Sequence, residues 1–481
     1  MEDSAPGRGQ THPPGRLFSA VDAGAHGVQT DRMPAPQLSG SQTEVGATRK
    51  GPTATPGADE AAVAGPGTVG ALLAEGGVRV LYQPVVDLGT GRSVAYEALA
   101  RGPVGHRLES PQAFFAAART EGLLTELDAA CFTAATTGAS TAGLITPWTL
   151  FVNLEPESLS DEVLPLTTVS TAGLRVVVEL TERALAEYPA ALLRTVARVR
   201  ALGWGVALDD VGVNPDSLAL VPLLRPDMLK LDATLIQQPP NTHTARVFSA
   251  VSAEAERTGC TVLAEGIETP QHLAAAKTLG ARLGQGWLFG RPAPLPAPLG
   301  PPPAAAVPID PTALRQPDQT PFQIAAELRP VQLADRHLLT AMCLHLERQA
   351  STVGESCIVL ATFQRATAFT PIASRYTKLA AANAYIGAFA VGLATEPAPG
   401  VRGVNLGPDE PLAREWDLVI LGPHYAALIA ARRTDNNTGD ISDEHEYVLS
   451  HDRRLAVTAA RALMARITHR TPRPDNVAHP N

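Results

Sequence analysis

The stretch Gly205-Val206-Ala207-Leu208-Asp209-Asp210-Val211-Gly212 decides how the rest of the chain is read. Val206, Ala207 and Leu208 are an uncharged apolar run bounded by turn signals, the pattern of a short strand buried in a parallel sheet. Asp209 and Asp210 follow at its carboxyl end. Two adjacent carboxylates repel each other and are costly to hold together unless a cation lies between them. Taken alone, the pair reads equally well as a strand-to-loop cap accepting backbone N–H groups. The same pattern, an apolar run ended by an acid or amide, recurs along the chain, and the recurrence favours chemistry over capping.

From about Thr68 to Pro292 short apolar strands alternate with amphipathic helices. Strands are predicted at Val78–Pro84, Val94–Leu99, Thr149–Leu154, Arg175–Leu180, Gly205–Asp209, Met228–Leu231, Val262–Ala264 and, more weakly, Leu283–Gln285. Helices are predicted between them at Ser110–Glu121, Glu126–Thr137, Pro189–Leu202, Thr244–Thr258 and Pro270–Leu279. Eight strands alternating with helices over this length predict an α/β fold, a (β/α)₈ barrel.

The chain of 481 residues is long enough for two or three domains, and 45% hydrophobic residues can fill sizeable cores. A net charge of −9 with no basic face argues against direct DNA or RNA binding. Cys131, Cys260, Cys343 and Cys357 are far apart and form no C-x-x-C pair, so reduced buried thiols in a cytoplasmic protein are expected. The N-terminus has no apolar core of a secretory signal. Leu379–Thr395 is uncharged but short for a membrane span, and it reads as a buried helix and strand.

Composition divides the remainder. Residues 1–66 contain a single aromatic, Phe18, and cannot bury enough surface to offset ordering entropy, so a disordered tail is expected. The barrel is assigned to 67–292 and a Pro/Ala-rich linker to 293–319, and the Pro/Ala run Arg291–Pro311 that spans this boundary is expected to act as a semi-rigid, polyproline-like spacer. A smaller mixed α/β domain is assigned to 320–468 and a loose tail to 469–481. In that second domain, helices at Asp335–Gln349 and Asp452–Arg466 flank strands at Cys357–Thr362, Ala388–Leu393 and Trp416–Leu421, and a helix is predicted to follow from Ala426.

The strand ends of the first domain collect polar residues: Glu97, Asn153, Glu179, Asp209 and Asp210, Lys230, Glu265 and Glu268, and Gln285. In a barrel these ends converge on one face. Oxygen ligands without His or Cys favour hard cations, Mg²⁺ or Mn²⁺, and so many acids have room for two ions.

Tyr96-Glu97-Ala98-Leu99-Ala100-Arg101 resembles the signature of the EAL domain family, phosphodiesterases acting on cyclic di-GMP. Gln83-Pro84, Val152-Asn153-Leu154, Glu179-Leu180-Thr181-Glu182, Lys230-Leu231-Asp232, Ala264-Glu265-Gly266-Ile267-Glu268-Thr269 and Gln285-Gly286-Trp287-Leu288-Phe289-Gly290-Arg291-Pro292 match in order. The resemblance implies a TIM-like barrel with one antiparallel strand, hydrolysis of cyclic di-GMP to linear pGpG, and dimerisation through the barrel. It implies metal binding by Glu97, Asn153, Glu179, Asp209, Asp210 and Glu265. Lys230, Glu265 and Glu97 would be catalytic, with Lys230 steadying the attacking water or the phosphate. Gln83, Arg101 and Gln285 would bind substrate, and Glu182 and Glu268 would anchor the loop after Asp210.

The sequence departs from the family pattern at Val211–Ser217, at Gly102, where Trp is frequent, and at Glu155, where Ser is usual. The first departure keeps open the alternative of a catalytically inactive domain, a cyclic di-GMP receptor that binds without turnover or a signalling interaction module.

In the second domain, Arg414–Tyr425, Phe363, Arg375-Tyr376, Leu379 and Tyr447–Asp452 resemble the DICT domain, which implies signal input without naming a ligand. His424, Tyr425 and His451 either line a pocket or are satisfied locally at strand ends. Asp435–Glu446 is polar and acidic, as expected of a mobile loop.

Overall fold

The computed structural model describes residues 67–155, 173–181, 187–213, 218–310, 318–434 and 444–467, with the single positions 158, 171 and 312. The two tails, Glu182, the segment 214–217 and the acidic segment 435–443 lie outside the described residues.

Eight strands close a barrel in sequence order: β1 (Arg79–Asp87), β2 (Arg92–Arg101), β3 (Thr149–Asn153), β4 (Arg175–Thr181), β5 (Gly205–Val211), β6 (Met228–Leu231), β7 (Thr261–Ala264) and β8 (Leu283–Gly284). β1 runs antiparallel to both β2 and β8, and the other neighbours are parallel. The reversal has a local cause. Between β1 and β2 the chain has room only for a hairpin, closed by Asp87 Oδ1 accepting from the N–H groups of Gly89 and Thr90. The later neighbours are separated by connections long enough to return the chain to the same end of the barrel, helical at Pro111–Glu121, Leu124–Thr141, Pro189–Ala201, Thr242–Thr258 and Pro270–Thr278, and they pair in parallel. The fold is the TIM-like barrel with one antiparallel strand that the sequence leads one to expect.

The barrel interior is filled by one side chain from each strand: Val85, Ala95, Phe151, Val177, Ala207, Met228, Leu263 and Leu283. Val307 and Ile309 join this layer from outside the barrel sequence. The Pro/Ala segment is therefore not a spacer. It returns to the barrel, bridging Tyr82 with Ala293, and Val307 is 4% exposed. Arg175 donates from Nη2 and Nε to the Val307 carbonyl at 2.7 and 3.1 Å. The Asp310 N–H donates to Asp227 Oδ1 at 2.6 Å. Composition suggested a solvated spacer because proline lacks an N–H and cannot join a ladder. Here a few side chains meet the segment's polar groups, and its sparse branched residues cover the barrel interior.

The C-terminal domain is a seven-stranded sheet in the order β12-β11-β10-β13-β14-β15-β9. Its strands are β9 (Gln332–Asp335), β10 (Ile358–Arg365), β11 (Tyr385–Val391), β12 (Val401–Leu406), β13 (Glu415–Leu421), β14 (Ala426–Arg433) and β15 (Glu444–Ser450). The helix predicted from Ala426 is strand β14, paired antiparallel with β13 from Leu421↔Ala426 to Glu415↔Arg432. An alanine-rich run has good intrinsic helix propensity. Here Gly422-Pro423-His424-Tyr425 reverses the chain beside β13, and alternate residues are buried on both sheet faces, so tertiary pairing overrides propensity. Leu379–Thr395 holds the end of the helix Ala373–Ala382 and all of β11, and no helix among the described residues is long and apolar enough to cross a membrane. All four cysteines are buried free thiols.

Barrel and sheet belong to one compact unit, Ala64–Asn481. The helix Arg453–Met464 covers one sheet face and also packs against the barrel helices Pro189–Ala201 and Val221–Leu224. Its alanines and leucines join a continuous apolar cluster with Val221 and Leu224.

At the closed end of the barrel, Arg200 Nη1 lies 2.5 Å from Asp227 Oδ2, with both side chains buried. Arg200 also donates to the carbonyls of Arg225 and Asp310, and Asp227 also accepts from the Val206 N–H. Removing one partner of such a pair strands a buried charge. Asp227→Ala is expected to lower stability by about 3–5 kcal/mol, measured as a fall in the urea midpoint. An unchanged midpoint would show that this latch contributes nothing.

Candidate active site

Successive residues of a regular strand point to opposite faces, so Asp209 and Asp210 should not share one. β5 resolves this with a bulge. Its pairing runs Leu208↔Leu229 and then Val211↔Leu231, three steps against two. The extra residue re-aims the strand end. Asp210 sits at φ 57°, in the left-handed region that aspartate tolerates better than most residues. An oxygen from each of Asp209, Asp210 and Glu265 can then lie within 4.8 Å of the others.

Lys230, on β6, is the centre of the site. It is 1% exposed, and its Nζ lies 2.6 Å from Glu179, 2.8 Å from Glu265, 2.9 Å from Asp209 and 3.8 Å from Glu97. Burial disfavours the ammonium, but the surrounding carboxylates outweigh it and hold the group well above the ordinary lysine range.

On one side of Lys230 stands the Glu97 arm. Glu97 accepts from Asn153 Nδ2 at 3.1 Å and from Gln285 Nε2 at 2.5 Å. Gln285 also donates to Gln83 Oε1 at 3.0 Å, and Gln83 donates to the Gly290 carbonyl. Burial pushes the Glu97 carboxyl upward, but Lys230 and these donors prevail and hold it below the usual range. On the other side are Asp209, Asp210 and Glu265, with Glu179 buried between the two groups. Burial together with the charge of Glu97 lifts Glu179 well above the usual range, despite Lys230. Burial and Asp209 push Asp210 up to about 6. Burial, with Asp209 and Glu97 adding to it against Lys230, pushes Glu265 up to about 8.

Five carboxylates thus face one ammonium, an excess of negative charge that the protein's own groups do not balance. The donors are all oxygens, several carboxyls are forced toward protonation, and Asp209, Asp210 and Glu265 already converge. This set fits a hard divalent cation.

The other predicted residues fall elsewhere. Arg101, at the end of β2, donates to the Ala100 carbonyl, lies within the electrostatic reach of Glu97, and lines a cleft of about 500 Å³ with Arg79, His106, Arg107 and Glu109. Gln83 and Gln285 are buried supports of the Glu97 arm rather than open groups at the mouth. Glu268 is exposed, outside the cluster. Gly102 has a steric reason, since a Cβ there would come within 2.1 Å of the Leu108 carbonyl oxygen. The 103–109 loop therefore folds onto the position where the family often carries Trp. Glu155 pairs with Arg119 at 2.5 Å, tying the end of β3 to the helix Pro111–Glu121. His451 Nδ1 lies 3.1 Å from the Ala426 carbonyl within its own domain, whereas His424 Nε2 meets Ser249 on the barrel helix Thr242–Thr258. Sequence reasoning passed over His243, whose Nε2 lies 2.7 Å from the Gly212 carbonyl just past the aspartates. Nothing in its type or spacing marks it, because the contact crosses 31 residues.

Comparison with known proteins supplies the family. Residues 69–292 match the EAL domain, and residues 315–434 match the domain described as "Sensory domain in DIguanylate Cyclases and Two-component system", DICT. The chain is 31% identical over 231 residues to the cyclic di-GMP phosphodiesterase RocR of Pseudomonas aeruginosa, a match covering 46% of this chain and 59% of that one. It is 33% identical over 226 residues to the cyclic di-GMP phosphodiesterase NbdA of the same organism, covering 45% and 29%. Among solved structures it is similar to BlrP1 of Klebsiella pneumoniae in a calcium/cy-diGMP complex, with a TM-score of 0.41, 30% identity, and coverage of 45% of this chain and 56% of that chain. This chain spans less than two thirds of the length of each of these relatives. The chain therefore carries an EAL domain at residues 69–292 and a DICT domain at residues 315–434.

Proposed function

We propose that the barrel hydrolyses cyclic di-GMP to linear pGpG with two divalent ions, Mg²⁺ or Mn²⁺, and that the DICT domain regulates it in a cytoplasmic protein. The observation that carries this is the nest of five carboxylates around Lys230, an arrangement with charge to spare for cations. The phosphodiesterase names of the similar EAL proteins support the choice of substrate.

Glu97, Asn153, Glu179, Asp209, Asp210 and Glu265 supply the oxygens. Divalent ions held there would lower the pKa of a bound water and neutralise charge on the phosphodiester. The chain's own groups do the rest. Lys230 presents a fixed ammonium in a water-poor site, where positive charge best stabilises negative charge developing on phosphate oxygens. Gln285 and Gln83 fix the Glu97 carboxylate so that it does not reorganise during the reaction. Arg101 supplies a guanidinium suited to bidentate bonding of a phosphate of the same ligand.

The direct test is incubation of the full-length protein with cyclic di-GMP and Mg²⁺ or Mn²⁺, with pGpG followed by chromatography. Product is expected from the wild type. Binding without product would instead make the protein a receptor. Glu97→Ala is expected to cut turnover by more than about 100-fold with the fold intact, since even outer partners of a metal site cost about 10–100-fold. A folded Glu97→Ala protein with full turnover would refute the assignment.

Stability should report the same charge excess. Glu179, Asp210 and Glu265 have folded-state pKa values above those of unfolded carboxyls. In the metal-free protein their contribution is therefore fully present at low pH. It is lost as the pH rises through about 6 for Asp210 and about 8 for Glu265. A cation replaces those protons, so the Tm gained on adding Mn²⁺ to chelator-treated protein should be larger near pH ~8.5 than near pH ~5.5. Equal gains at both pH values would place the ion elsewhere.

A further inference from the structure

The chain turns at Gly212, immediately beyond the two aspartates. Gly212 has φ 102°, and a Cβ there would come within 2.6 Å of Leu235 and 3.1 Å of Val247. Val247 belongs to the helix Thr242–Thr258, and so does His243, four residues earlier on the same face. The His243 Nε2 contact to the Gly212 carbonyl is 2.7 Å. A carbonyl only accepts, so Nε2 carries the proton. One helical face thus grips the turn twice, by packing and by a hydrogen bond.

That face continues away from the barrel mouth. Ala250, Val251 and Glu254 are buried along it, and together with Arg257 they border a small cleft completed by Pro423 and Arg453 of the C-terminal domain. Ser249 Oγ lies 3.1 Å from His424 Nε2. Arg453 donates to the carbonyls of Gly422 at 2.6 Å and Tyr425 at 3.4 Å, clamping the β13–β14 turn that meets the helix. The distance from His243 to Glu254 is about 16 Å at 1.5 Å per residue. The segment following Asp210 is also tied at its far end, where the helix Val221–Leu224 packs on Arg453–Met464.

We propose that His243 is a positioning residue for the Asp209–Asp210 turn, and that the helix Thr242–Thr258 carries the state of the C-terminal domain to that turn. This inference rests on metal binding by the two aspartates. The C-terminal domain holds the far end of a helix whose first turn holds the loop of the two aspartates. A shift of the Gly422–Tyr425 turn would move Gly212 through one stiff element, without any need for the sensed ligand to approach the barrel mouth.

The test is Mn²⁺ affinity, measured by calorimetry on the full-length protein without substrate, with circular dichroism confirming the fold of each variant. His243→Ala is expected to weaken Mn²⁺ binding about tenfold, as outer-sphere partners do. His243→Gln, whose amide can still donate to a carbonyl, should recover most of the loss. Arg453→Met should weaken binding about threefold in the wild-type background and clearly less beside His243→Ala, because one of the helix's two grips on the turn is then gone. His424→Ala takes the place of Arg453→Met if that variant does not fold. Unchanged affinity in His243→Ala, or equal effects of Arg453→Met in both backgrounds, overturns the proposal. A wild type that binds no Mn²⁺ overturns the metal-binding basis itself, a result distinct from either.

Discussion

A single buried ammonium organises the mouth of this barrel. Lys230 is out of contact with water, where a charge persists only if neighbours compensate its desolvation. Glu179, Asp209 and Glu265 touch it, and Glu97 stands slightly farther away. It can hold this many acids together but cannot neutralise them. The result is a preorganised charge defect: rigid strands fix the carboxylates, one lysine keeps them from flying apart, and a deficit of positive charge remains. Such an excess of negative charge suits a cation.

The rest of the first domain maintains that defect. The bulge in β5 brings neighbouring aspartates to one face, which a regular strand forbids. The amide chain from Gly290 through Gln83 and Gln285 immobilises Glu97. The hairpin that makes β1 antiparallel serves the same end, since its pairing sets Gln83 directly opposite Glu97. Fold and chemistry therefore meet in register: a slip of one residue in β1 would turn Gln83 away from the carboxylate it supports.

The acids were legible in the sequence because each is announced locally, by an apolar run that ends in a polar residue. The alternation of strands and helices announced the barrel in the same way. What could not be read was set by distant contact. Ala426–Arg433 looks helical until a turn and a neighbouring strand claim it. His243 is an ordinary residue in the first turn of a helix until the fold brings Gly212 to it. The fold sets Gln83 and Gln285 in a hydrogen-bonded chain to Glu97, yet an open face and a buried support cannot be told apart from residue type. Gly102 looked like a loss relative to the family, whereas the loop that fills its space is visible only in three dimensions.

The Pro/Ala segment has a bearing on modularity. In sequence the EAL match ends at residue 292, an obvious seam for exchanging sensors between proteins. In space the seam lies beyond Asp310, since Val307 and Ile309 close the barrel interior and Asp310 caps its buried Arg200–Asp227 latch. The barrel thus borrows its floor from the stretch that leads to its neighbour. Any recombination that respects the motif boundary but not this floor would deliver an unfinished domain, so the heritable unit here is longer than its signature.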